Sequence, residues 1–231
     1  MRYAIIAAGE GSRLAEEGLD VPKPLVPIGG VPMIERLAGI LMRQDADRIA
    51  VIINEQSPDT RALLESMSLR MPIDFVVRDT PSPVHSLLAL APFLACDRFC
   101  AMTVDTVFQE KRFSEMVSEF KQTGFDGIMG VTSFVDDEKP LYVSVDESMV
   151  IKGFHDLAEG CRFVSAGVYC LKPAALDVLS ECVESGGRRM RLFQRSLIEE
   201  GMRLKAFDLG RVIDVDHLSD VQKAGQIALE G

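Results

Sequence analysis

The run Ile49-Ala50-Val51-Ile52-Ile53 is continuously apolar and almost wholly β-branched. A strand reads this way when both of its faces are buried, because neither side of the pleat has to meet water. Short, largely apolar runs also stand at residues 3–7 and 99–103, and a further strand is expected near Ile73–Val77. Between them lie segments with helical spacing, such as Met33, Ile34, Leu37, Ile40 and Leu41, and a further helix is expected near Asp59–Met67. Strand and helix alternate, which predicts an α/β fold: a Rossmann-like, doubly wound, mostly parallel mixed sheet with helices on both faces. Ligands of such sheets sit at the carboxyl ends of the strands.

The first strand, Tyr3 to Ala7, ends in Ala8-Gly9-Glu10-Gly11-Ser12-Arg13. Gly9 and Gly11 carry no Cβ, so the backbone can turn tightly and approach a bulky group. Successive N–H groups in such a turn make a concave anion site. Arg13 and Lys23 add two positive charges, and Pro22 and Pro24 restrict the backbone around Lys23. A dinucleotide fingerprint would place a third glycine at position 14, where this chain has Leu14. An ATPase phosphate loop would close with Gly-Lys-Ser or Gly-Lys-Thr, which is absent. The glycine turn and its cations suit a nucleoside triphosphate lying across the strand end; a plain strand-to-loop connection is the alternative.

Three stretches together, Ala7-Ala8-Gly9-x-Gly11-Ser12-Arg13-Leu14, Pro22-Lys23-Pro24-Leu25 and Gly29-Gly30-x-Pro32-Met33-Ile34, resemble the nucleotidyltransferase superfamily of sugar-1-phosphate pyrophosphorylases. Related molybdenum-cofactor and phosphocholine nucleotidyltransferases share the pattern. The resemblance implies a nucleotide-diphospho-sugar transferase-like fold in one domain, 1–231, with an NTP-binding half over about 1–110 and an acceptor-binding half over about 111–231. It implies a nucleotide site at Ala8, Gly9, Gly11, Ser12, Arg13 and Lys23, with Arg13 and Lys23 catalytic. It also places a base- or ribose-contacting segment at His85 and Ser86. There Ser82 is expected to cap a helix that begins at Pro83.

The strand Phe99 to Thr103 leads to a lone carboxylate, Asp105. An unpaired carboxylate at a buried strand end is costly, so Asp105 is expected to have a cation, unless it caps the next segment. The resemblance makes it a Mg²⁺ ligand, with Val104 in place of the usual glycine. Near the C-terminus, Asp214 and Asp216 stand two apart in an extended run and are expected to project together. The superfamily's closing Asp-x-Asp-Thr-Pro-Glu-Asp-Leu looks like this stretch, with His217 and Leu218 replacing Thr-Pro. It implies that Asp216, or Asp214, is the second metal ligand; helix capping by Asp216 is the alternative.

The second half is expected to hold a helix around Phe113–Phe120, a strand at 127–132, a hairpin over 141–154 turning at Asp146-Glu147-Ser148, and a strand at Ser165–Leu171. Helices follow at Ala174–Glu184 and Leu192–Glu200. Relatives form the sugar-phosphate pocket here, with Asn where this chain has Ser165 and Glu-Lys-Pro after the hairpin. This chain has Glu138-Lys139-Pro140 before it and His155-Asp156 after it. Lys139 reads as loop surface and Arg188-Arg189-Met190-Arg191 as a solvated face, leaving Lys152 and Arg162 as candidates for the acceptor phosphate.

The resemblance implies transfer of NMP from an NTP to a sugar 1-phosphate, with release of pyrophosphate and Mg²⁺ as cofactor. A phosphocholine or molybdopterin acceptor, or a non-catalytic nucleotide-sensing module, are the alternatives. The formal charge of −10 argues against nonspecific nucleic-acid binding. Five cysteines without Cys-x-x-Cys spacing read as buried free thiols, and no run is long enough to span a membrane. A reduced, cytoplasmic protein is expected, with homo-oligomerisation left open.

Overall fold

The computed structural model describes residues 1–44, 46–135 and 139–229. In chain order the first half comprises β1 (Arg2–Ala7), a short helix α1 (Ser12–Glu16), a 3-10 turn (Lys23–Leu25), the hairpin β2 (Pro27–Ile28) and β3 (Val31–Pro32), and α2 (Met33–Arg43). There follow β4 (Arg48–Ile53), α3 (Pro58–Ser66), β5 (Ile73–Val77), α4 (Pro83–Leu94), β6 (Phe99–Thr103), β7 (Thr106–Val107) and α5 (Glu110–Gln122). The second half adds β8 (Gly127–Thr132), β9 (Tyr142–Val145), β10 (Ile151–His155), β11 (Phe163–Leu171), α6 (Ala174–Glu184) and α7 (Met190–Glu199). It closes with β12 (Leu204–Asp208), β13 (Ile213–Asp214) and α8 (Leu218–Leu229).

The predicted sheet is present. β6, β1, β4 and β5 lie side by side in parallel, and β11 joins β6 antiparallel. Alternation along β1 divides the core: Tyr3, Ile5 and Ala7 pack beneath α2, α3, α5 and α8, while Ala4 and Ile6 face α4, α6 and α7. Both faces of β1 are thereby covered, as its unbroken apolar run required.

β11 shapes the site. Val168–Leu171 pair with β6, whereas Phe163 and Val164 pair with β9, and β8 flanks the strand on its other side. The register slips between Ser165 and Tyr169, and Gly167 within that slip has φ +70°. The sheet therefore parts between β6 and β9, leaving an opening at the carboxyl end of β6. A small ladder, Asp214 opposite Thr106 and Ile213 opposite Val107, brings the end of the chain to this opening.

Three sequence expectations need correction. β12, which runs parallel to β8, was not anticipated: Leu-Lys-Ala-Phe-Asp is short, and only Leu204 and Ala206 are buried. Ser82 precedes α4, but its hydroxyl does not cap it; Ser82 Oγ pairs with His85 Nδ1 at 2.8 Å. Cys100, Cys170 and Cys182 are buried free thiols, whereas Cys96 and Cys161 are only partly buried. Among the described residues no helix is long and apolar enough to cross a membrane.

Candidate active site

The glycine turn folds back over Lys23. Gly11 adopts φ +65°, and a Cβ there would lie 2.8 Å from Lys23 Cβ. The missing side chain is what lets the lysine stem pass underneath, with only 9% of the residue exposed. The turn at Pro22–Leu25, closed by Leu25 N–H to Pro22 O at 2.8 Å, aims the stem inward.

Lys23 Nζ meets two carboxylates, Asp105 Oδ2 at 2.5 Å and Asp216 Oδ1 at 2.7 Å. Arg13 Nη1 reaches the other oxygen of Asp216 at 2.9 Å. Burial would lower the lysine pKa, but the charge of Asp105 and the hydrogen bonds to both carboxylates outweigh that and hold it well above its ordinary value. Lys23 is a permanent ammonium at this point.

Asp105 is held because Val215 N–H donates to its backbone oxygen at 3.1 Å, alongside the β7–β13 ladder. Asp214 accepts from Thr106 Oγ1 at 2.8 Å, and Thr106 in turn contacts Thr103 Oγ1 at 2.7 Å. The run 212–216 is not a plain extended strand. Asp216 N–H donates to Asp214 O at 3.1 Å, so the chain turns tightly and the two carboxylates reach the same opening with different partners.

Asp216 stands at the junction of three cavities. One of about 130 Å³ is lined by Gly9, Gly11, Ser12, Arg13 and Lys23. A second, of about 390 Å³, opens where the sheet parts and includes Asp105, Asp214, Lys139, Arg188, Arg189 and Arg191 in its wall. A third, of about 100 Å³, lies toward Thr132, Phe134 and His217. Ala8, His85 and Ser86 line none of the three; Ser86 is buried, with its hydroxyl 2.6 Å from Thr80 Oγ1.

The acceptor-side expectations need revision. Lys152 is tied to Asp146 across the hairpin at 2.7 Å, and Arg162 lies over the Phe163 ring at 5.0 Å. Neither lines a cavity just described. The residues read as surface take that place. Asp156 grips Arg191 at 2.5 Å and Arg195 at 2.8 Å, and Arg191 also donates to Lys139 O at 2.9 Å, so the basic turn folds over the opening. Arg188 and Arg189 have no ion-pair partner among the described residues. Glu138 lies outside the described residues. Gln194, which sequence reasoning missed, accepts from Ser165 Oγ at 2.8 Å and lines the same wall. Its only sequence signal was a polar residue on the apolar side of a helix.

The donors at the strand end are hard oxygens. Among the described residues no three His, Cys, Asp or Glu side chains form a metal cluster. Two carboxylates are enough for Mg²⁺, which keeps waters and takes its remaining ligands from substrate phosphates. The Asp105–Asp216 pair already accommodates one cation, the Lys23 ammonium.

The sequence matches the MobA-like NTP transferase domain over residues 3–200. The chain belongs to this family. The matched span of the MobA-like domain ends before Asp214 and Asp216. Mannose-1-phosphate guanylyltransferase 1 of Arabidopsis thaliana is 28% identical over 189 residues, covering 77% of this chain and 51% of that protein. The MobA-like chain thus spans about half the length of that relative. The inositol-1-phosphate CTP transferase structure from T. maritima superposes with a TM-score of 0.83 at 20% identity, covering 100% of this chain and 96% of the other. A Bacillus anthracis structure assigned as a glucose-1-phosphate thymidylyltransferase gives 0.87 at 21% identity, covering 99% and 95%. At these identities both establish the nucleotide-diphospho-sugar transferase-like fold.

Proposed function

We propose that this MobA-like protein is a nucleotidyltransferase that transfers NMP from a nucleoside triphosphate to a sugar 1-phosphate and releases pyrophosphate. The observation that carries this reading is the contact of Asp105 and Asp216 through one lysine Nζ, between the glycine turn and an arginine-lined cavity. A phosphate oxygen of the acceptor attacks the α-phosphorus, a new P–O bond forms, and the bond to the β-phosphate's bridging oxygen breaks. Both reactants are anionic, so the work is positioning and charge neutralisation.

The Gly9–Ser12 backbone and Arg13 hold the triphosphate and stabilise the leaving pyrophosphate. Lys23, fixed as an ammonium, offsets charge on the α-phosphate and takes no part in proton transfer. Arg188 and Arg189 take the acceptor phosphate, replacing Lys152 and Arg162 in that role. Asp105 and Asp216, with Asp214 beside them, would hold Mg²⁺, which supplies charge withdrawal at the reacting phosphate oxygens. A phosphocholine acceptor is the second reading: the arginines of this wall suit its phosphate as well, and Tyr169 is the aromatic residue there for its quaternary ammonium. A purely nucleotide-sensing module would have no need of the second carboxylate.

The test is a pyrophosphate-release screen of each NTP against sugar 1-phosphates, phosphocholine and a molybdopterin acceptor, with Mg²⁺. Turnover is expected with a sugar 1-phosphate, and Asp105→Asn is expected to reduce it by at least about 100-fold without unfolding the protein. Undiminished release by Asp105→Asn would overturn the assignment.

A further inference from the structure

Glu17 follows α1 as its C-cap, and both of its carboxylate oxygens are engaged. Oε1 lies 2.6 Å from His217 Nδ1, and Oε2 accepts the Leu218 N–H at 2.7 Å. These partners are 200 and 201 positions away and directly follow Asp216. Leu218 is the first residue of α8, so its N–H has no acceptor within the helix. A carboxylate at that end is favoured both as a hydrogen-bond acceptor and by the helix dipole. Asp220 Oδ2 accepts from Asp216 N at 3.3 Å and His217 N at 2.9 Å. The donor at 218 is therefore satisfied from the opposite end of the chain. Arg13, on the short helix that Glu17 terminates, reaches the Asp216 side chain. α1 and its C-terminal cap thus hold Asp216 itself and the two residues that follow it.

We infer that Glu17 is a positioning residue: it caps α8 from the C-terminal end of α1 and so fixes Asp216 against Lys23 and Asp105. The inference rests on the reading of Asp105 and Asp216 as the cation-binding pair. It depends on the two residues by which this chain departs from the Asp-x-Asp-Thr-Pro pattern. A proline at 218 has no N–H to donate, and a threonine at 217 has no ring nitrogen. Glu17 touches neither substrate nor the reacting atoms. Its effect passes through the direction of one carboxylate, in the way outer partners tune a metal ligand.

The test compares Glu17→Ala, Glu17→Gln, Leu218→Pro and Asp105→Asn in the full chain. It measures Mn²⁺ affinity by electron paramagnetic resonance with a non-hydrolysable NTP analogue, together with kcat, acceptor KM and melting temperature. Glu17→Ala should weaken Mn²⁺ binding by about 10-fold and lower kcat by a similar factor, leaving acceptor KM unchanged. Glu17→Gln should recover most of the loss, since its amide oxygen still accepts the Leu218 N–H. Leu218→Pro removes that N–H together with a partly exposed leucine side chain, at a first helical position where proline is tolerated. It should match Glu17→Ala and add nothing when the two are combined. Wild-type Mn²⁺ affinity and kcat in Glu17→Ala overturn the inference. So do additive losses in the double variant, or a Glu17→Gln as damaged as Glu17→Ala. If Asp105→Asn loses Mn²⁺ while Glu17→Ala does not, only the role of Glu17 falls; if Asp105→Asn binds Mn²⁺ like wild type, the cation-site reading falls with it.

Discussion

The two glycines of the first turn are equivalent as letters and different as neighbours. A Cβ at Gly9 would meet nothing within 4 Å, whereas one at Gly11 would strike Lys23 Cβ from a left-handed backbone. Gly11→Ala should therefore destabilise the protein by about 1–3 kcal/mol, a fall of roughly 2–4 °C in melting temperature for each kcal/mol, and should reduce pyrophosphate release by displacing Lys23. Gly9→Ala should leave the melting temperature unchanged. Thermal unfolding and turnover of the two variants, side by side, check this. That Gly11, Arg13, Lys23 and Asp105 stand at or just beyond strand ends on one edge of the sheet was legible in the sequence, and the family resemblance grouped them. That Lys23 bridges Asp105 and Asp216 was not, because an ion pair between residues 193 positions apart has no periodicity to betray it.

Among the elements, β11 shows how a strand can be recognised and its consequence missed. Ser165–Leu171 read as a strand, but pattern alone could not say that it changes partner from β6 to β9 midway. Gly167 makes the change with φ +70°, and a Cβ there would come 2.9 Å from Thr106 Oγ1, the hydroxyl that holds Asp214. Gly167→Ala should cost about 1–3 kcal/mol of stability, measured by denaturant unfolding, and should raise acceptor KM more than NTP KM because the strain falls on the arginine-side cavity. The basic turn before α7 teaches the same lesson. Three arginines on a helix entry are usually solvated; here the Asp156 contact with Arg191 and Arg195, and the Arg191 bond to Lys139 O, turn that face over the opening.

For the molecule as a whole, the net charge of −10 works against the proposed anionic substrates, and the cavity holds a local concentration of arginine and lysine. The second half is also tied together by charge. Asp126 accepts from Arg203 N at 3.0 Å and pairs with Lys172 at 3.1 Å, joining the ends of β8, β11 and β12. Burial would raise its pKa, but the Arg203 N–H and the Lys172 ammonium outweigh that and lower it. A carboxylate lowered on folding contributes stability that is complete above its unfolded pKa and is lost as pH falls through the folded one. Asp126→Asn should therefore lower the melting temperature by about 2–4 °C at pH 7, and the gap to wild type should close as the pH is taken below about 3.9; a gap independent of pH would refute this. The doubly wound sheet, its two-faced core and the glycine turn after β1 followed from the sequence, because burial pattern and turn chemistry are local properties. The closing of the active site did not. The β7–β13 ladder carries the end of the chain to the opening, where Glu17 contacts His217 and Leu218 and the arginine turn lines the same cavity as Asp216; contacts of that range are set by packing, which leaves no local pattern in the chain.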